Sequence, residues 1–163
     1  MDYPLLPKQM PERIKKVWKK SNLVGTGIFL IIGIGVTAFL NWLDVLDGIW
    51  VWSMGIYFAI VLIWPVIAML LIPYRYQFHR YEITPEDLSF QDGYIFRSIT
   101  HVPINRIQHI ETEQGPFLRK EKLMEIVIHT AASSHNISGL DVEEAVQLRQ
   151  QIIKLVKVAK EDV

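Results

Sequence analysis

The sequence predicts a hairpin of two transmembrane helices followed by a β-rich soluble domain that a C-terminal α-helix closes. Three observations carry this prediction. Residues 21–43 and 48–74 contain no charged side chain. After residue 75 the continuous apolar character gives way to the alternation of half-buried strands. From residue 141 onward, apolar positions recur at helical spacing behind an acidic start.

Residues 1–20 read as a basic juxtamembrane arm. Lys8, Arg13, Lys15, Lys16, Lys19 and Lys20 stand there against Asp2 and Glu12, and Pro4, Pro7 and Pro11 discourage helix before about Glu12. Such an arm can lie on anionic lipid, or its lysines can serve only to set topology. Residues 23–43 would rise about 31 Å as a helix, matching a hydrocarbon core roughly 30 Å thick. The second gap is longer and can span with tilt. Residues 21–74 therefore form the predicted transmembrane hairpin, with 44–47 as its turn.

That turn carries Asp44 and Asp47 and no base, whereas both outer flanks are basic, with Arg75 and Arg80 following the second span. Excess Lys and Arg in short flanks marks the cytoplasmic side, so both termini are expected in the cytoplasm. Trp42, Trp50 and Trp52 fall at the outer ends of the spans, and Trp18, Tyr74 and Tyr76 at the inner ends, where amphipathic rings prefer to sit. A cleaved signal peptide at Val36-Thr37-Ala38 fits poorly: the apolar run is too long and a second span follows. Neither span holds Asp, Glu, Lys, Arg or His, which disfavours an ion or proton pathway. Gly25, Gly27, Gly33 and Gly35 permit close helix packing without a strict GxxxG. Pro65 is expected to kink the second helix.

Residues 75–163 are the predicted cytoplasmic domain. A first strand is expected over 75–83, with a bulge between Phe78 and Tyr81. Two strands, 88–91 and 94–102, flank Asp92-Gly93, a strong hairpin signal. A bend at 103–105 leads into a strand over 106–112. Gln114-Gly115-Pro116 breaks the pattern and opens a helical turn through Arg119. Residues 124–129 alternate as a further strand, and 136–138 form a short one. Asp141-Val142-Glu143-Glu144 is an N-cap with an acidic first turn. Val142, Ala145, Val146, Ile152, Ile153, Val156 and Ala159 then supply an apolar helix face. With 11 Lys and Arg against 13 Asp and Glu, this domain is no basic nucleic-acid platform.

Two spans, the segment Val102-Pro103-Ile104-Asn105-Arg106-Ile107-Gln108, the segment Gln114-Gly115-Pro116-Phe117-Leu118-Arg119-Lys120 and a final helix after Gly139-Leu140-Asp141 together resemble the YdbS-like bacterial membrane proteins. Those carry a bacterial pleckstrin-homology (PH) domain of the second type. The resemblance covers essentially the whole chain. It implies a PH-like antiparallel β-sandwich or barrel capped by the C-terminal α-helix, a place in the bacterial plasma membrane, and a larger companion with several such domains. Some relatives are associated with tolerance or immunity to membrane-active bacteriocins.

Little in the sequence points to catalysis or cofactors. The chain has no cysteine, so no disulfide or thiolate chemistry is available. His79, His101, His109, His129 and His135 show no helical i, i+4 pair, and no metal is expected. Ser133, Ser134 and His135 with Asp141 supply the residue types of a hydrolytic triad, but no strained G-x-S-x-G turn presents either serine. The paired glycines of the first span follow no strand, so no phosphate loop is expected either. The chain reads as non-enzymatic.

The candidate contact site is Arg106, Gln108, Gln114, Arg119, Lys120 and Lys122. In a regular strand Arg106 and Gln108 share one face, with Ile107 and His109 on the other. These residues suit acidic headgroups or a partner's carboxylates. Alternatively Arg106 and Arg119 pair internally with Glu111, Glu113 or Glu121. The expected function is a membrane-anchored interaction module that assembles with itself or with a companion PH-like membrane protein, in envelope protection or bacteriocin immunity. The alternative is a hairpin that itself binds a hydrophobic peptide or lipid, with the soluble domain regulating it.

Overall fold

The computed structural model describes residues 5–45, 47–93 and 96–161. Two compact units emerge. One comprises Trp18–Ile72; the other joins Met1–Val17 to Pro73–Val163.

The first unit is built from two long helices, α1 (Ile14–Trp42) and α2 (Gly48–Gln77). Only 6% of the apolar stretch of each is buried, so neither is the core helix of a soluble protein, and the predicted pair of spans stands. Close approach between them occurs at Gly33, where a Cβ would clash with Tyr57 Cε1. The Tyr57 hydroxyl donates to the Phe29 carbonyl at 2.7 Å, and Asn22 Nδ2 donates to the Pro65 carbonyl at 3.0 Å. The helix continues unbroken through Pro65.

The second unit is PH-like: two antiparallel sheets and a helix. Strands β1 (Lys8–Gln9), β2 (Arg80–Ile83), β3 (Asp87–Gly93) and β4 (Arg97–Pro103) form a sheet in that order. Strands β5 (Ile107–Glu113), β6 (Leu123–Thr130) and β7 (Ser134–Asp141) form the second. A 3₁₀ turn, Ile104–Arg106, links the sheets, and the short helix α3 (Pro116–Lys120) sits between β5 and β6. Helix α4 (Val142–Glu161) covers the core. That core comprises Tyr81, Leu88, Ile104, Leu123, Ile126, Ile128, Ile137 and Leu140 from the sheets and the 3₁₀ turn, with Ala145, Leu148 and Ile152 from α4. Leu148 belongs to the buried face, whereas Val146 points to solvent.

Several local expectations need correction. Residues 75–77 are helical, not strand: Tyr74 and Phe78, just past the helix end, pack at a tilt with ring centroids 5.0 Å apart at i, i+4 spacing, which also mimics strand alternation. No bulge separates Phe78 from Tyr81 because β2 starts only at Arg80. Asp92 and Gly93 are not the hairpin turn but the last residues of β3, paired with Ser98 and Arg97, and Gly93 takes φ 122°. The expectation for Tyr94 and Ile95 lies outside the described residues. Strand β7 is longer than predicted, since Gly139 at φ 96° and a polar start mask its pattern.

Residues 5–17 of the basic arm belong to the PH-like unit. Lys8 and Gln9 pair with Tyr81 and Arg80, while Ile14 and Val17 are buried. Tyr76 donates its hydroxyl to the Met10 carbonyl at 2.7 Å. The Arg13 guanidinium binds the Asp141 carboxylate and the Glu121 carbonyl. Lys15 stands 4.0 Å from the Tyr76 ring centroid.

Candidate functional site

Strand β5 carries one irregularity that decides how its side chains face. Ile107 pairs with Thr130 and His109 with His129, so Gln108 is an extra residue on β5 with no partner of its own. This β-bulge shifts the alternation, leaving Ile107 buried and Ile110 partly buried, three positions apart, and turning His109 and Glu111 outward. Arg106 precedes the strand in the 3₁₀ turn. The expectation that a regular strand puts Arg106 and Gln108 on one face is therefore replaced by a turn followed by a bulge. Both side chains remain exposed and line one groove of about 530 Å³ with His101, Pro103, Thr130 and His135.

The other predicted contact residues lie elsewhere. Gln114 is occupied locally, donating from Nε2 to the Leu123 carbonyl at 2.8 Å. Arg119 and Lys120 are exposed on α3. Lys122, at φ 55°, lines a second depression with Arg13, Asp141, Glu143, Glu144 and Gln147. No single cleft among the described residues gathers all six. Arg106 and Arg119 are both exposed.

Strand β4 forms the free edge of its sheet, and its His101, Val102 and Pro103 border the groove. An unpaired strand edge beside an exposed guanidinium offers main-chain hydrogen bonds and a carboxylate contact together. At the start of β3, Asp87 holds this corner in place. It accepts hydrogen bonds from Thr84 Oγ at 2.5 Å, from Ser89 Oγ at 3.3 Å and across a 3.0 Å contact with His101 Nδ1. The Thr84 bond foremost, aided by His101 and Ser89 against the opposing effect of burial, lowers its pKa below the ordinary carboxylate value.

Ser133, Ser134, His135 and Asp141 do not come together as a triad. Ser133 Oγ lies 2.7 Å from His135 Nε2, but His135 packs at a tilt against Phe90 and meets no carboxylate among the described residues. Asp141, the only nearby candidate in sequence, is engaged by Arg13. Ser134 instead contacts His129 Nδ1 at 2.8 Å.

Sequence reasoning missed one cluster, His109, Glu111 and His129, whose potential ligand atoms lie within 4.8 Å of one another. A test for i, i+4 histidines on a helix does not detect an i, i+2 pair on one strand with a third residue opposite. The sequence signal was the His-x-Glu of residues 109–111, but its partner follows only from strand register.

Comparison with known proteins agrees with the geometry. The family profile described as Bacterial PH domain matches residues 23–156. The transmembrane protein YdbS of Bacillus subtilis (strain 168) is 32% identical over 152 residues, covering 91% of each chain. No solved structure matches.

Proposed function

This chain belongs to the bacterial PH-domain family of membrane proteins, and from that premise we propose that it is a non-enzymatic, membrane-anchored interaction module. The hairpin tethers the PH-like domain at the cytoplasmic face of the plasma membrane, with both termini inside. The basic flanks and acidic 44–47 turn support that orientation. The domain assembles with a second copy or with a companion PH-like membrane protein. Anchoring both partners in one bilayer raises their effective concentration, so weak individual contacts suffice.

The observation that carries this reading is the groove where the free edge of β4 meets Arg106 and Gln108. An extended segment from a partner can add to the β4 edge while a carboxylate on it meets Arg106. Envelope protection or bacteriocin immunity is the physiological setting in which we place such assembly. The test is co-purification from native membranes in mild detergent. Wild-type protein should emerge as an oligomer or with a companion, and Arg106→Glu should lose it while keeping the same melting profile. A strictly monomeric wild type refutes the proposal.

A second reading has its own support within the hairpin unit. Asn22, Gly25, Phe29, Tyr57, Trp64 and Pro65 line an apolar groove of about 430 Å³. Such a groove suits a hydrophobic peptide or a lipid chain, and the soluble domain would then regulate its occupancy.

A further inference from the structure

The geometry points to a binding site for a divalent transition-metal ion of the zinc class on the outer face of the second sheet, formed by His109, Glu111 and His129. This site is independent of the assembly groove. His109 and Glu111 stand two apart on β5, and His129 lies directly across from His109 on β6. The bulge at Gln108 turns both β5 residues outward. In a regular strand His109 would follow Ile107 into the core.

The distances suit a small tetrahedral ion. His109 Nε2 is 3.5 Å from Glu111 Oε1, and His129 Nε2 is 3.6 Å from Glu111 Oε2. Zinc bonds of roughly 2.0–2.1 Å place tetrahedral ligand atoms about 3.3 Å from one another, so the two contacts to Glu111 are already near that spacing and the two imidazoles, whose ligand atoms lie within 4.8 Å, close in on binding. The two imidazole rings stack with centroids 4.2 Å apart and planes 14° from parallel, so the exposed His109 ring must turn about its side-chain torsions for both in-plane lone pairs to meet one ion.

The state of His129 gives the second, independent argument. Its Nε2 is buried and has no hydrogen-bond partner, a costly situation for a polar atom. Its Nδ1 contacts Ser134 Oγ at 2.8 Å. A hydroxyl that accepts from Nδ1–H fixes the tautomer in which Nε2 presents a lone pair toward Glu111. Metal-binding histidines are commonly oriented in this way by an outer partner. Two imidazoles and one carboxylate favour zinc, copper or nickel over calcium or magnesium. His109 and Glu111 are more than half exposed, so an ion can enter from solvent and keep a water as its fourth ligand. Glu113 and Glu125, paired farther along the same strands, add negative charge nearby.

The test is zinc titration of the full-length protein in detergent micelles, with any affinity tag removed, followed by calorimetry. One ion per chain is expected, with cobalt(II) giving the visible absorption of a tetrahedral site. His109→Gln and His129→Gln should each weaken binding at least 10-fold. Ser134→Ala should weaken it about 10-fold through loss of orientation, with unchanged melting of the metal-free protein. Millimolar magnesium should not compete. Absence of saturable zinc binding by the wild type overturns the assignment, as does equal affinity in a His109→Gln, His129→Gln double variant.

Discussion

Ile14, at the first turn of α1, packs against the backbone of Gly139 in β7, so tightly that a Cβ on Gly139 would lie 2.7 Å from Ile14 Cδ1. Gly139 also adopts φ 96°, where an L side chain is strained. Both effects act on Gly139→Ala, which should cost on the order of 2–4 kcal/mol in thermal unfolding in micelles. Ile14→Ala alone should also destabilise, by about 2–5 kcal/mol, because Ile14 is fully buried. In the double variant the losses should be less than additive, since removing Ile14 relieves the contact but not the backbone strain. Full additivity would show that the arm is not docked on β7 in solution.

Asp87 should give the soluble unit an acid-sensitive component. Its folded-state pKa is lowered, mainly by the Thr84 hydroxyl bond, so its contribution is complete above the ordinary carboxylate value of 3.8. That contribution is lost as pH falls through the lowered folded value. Asp87→Asn should therefore destabilise by on the order of 1 kcal/mol at pH 7. The gap between variant and wild type should close on acidification below pH 3.8. A gap that stays constant across that window contradicts the assignment. The measurement is denaturant unfolding at stepped pH, read from the near-ultraviolet dichroism of the domain.

Of the glycines in the two helices, Gly33 is the one at which an added Cβ meets a neighbour. Gly33→Leu should separate the helices, because even its Cβ would clash with Tyr57 Cε1. Tyr57→Phe should have a smaller effect, about 0.6 kcal/mol, the average worth of an interhelical hydrogen bond in a bilayer. Disulfide trapping between cysteines introduced on the two helices reads both effects. Equal trapping in Gly33→Leu and wild type would show that the helices do not meet there.

The large-scale order of the chain was legible because it rests on long, redundant patterns. Two charge-free gaps specify two spans, and the acidic start of α4 with Ala145 and Ile152 specifies the closing helix. Finer features depended on single residues whose meaning is set at a distance. The burial of Ile14 comes from Gly139, 125 positions later, and no local period announces it. One unpaired residue, Gln108, reverses the facing of every side chain after it on β5. Arg106 was recognised as a contact residue by its chemistry, yet its groove exists only because the 3₁₀ turn and the β6–β7 turn come together. His109, Glu111 and His129 were judged as separate histidines and acids because strand register, not spacing, unites them.

Exchange of the hairpin tests the central claim most directly. Residues 21–71 are replaced by an unrelated two-span hairpin of the same topology, and the size and composition of the complex are measured in mild detergent. The proposed module predicts that membrane insertion and assembly both persist, with Arg106→Glu in the exchanged protein abolishing assembly. Loss of assembly on exchange, with insertion and domain folding intact, would contradict it and place the activity in the bilayer.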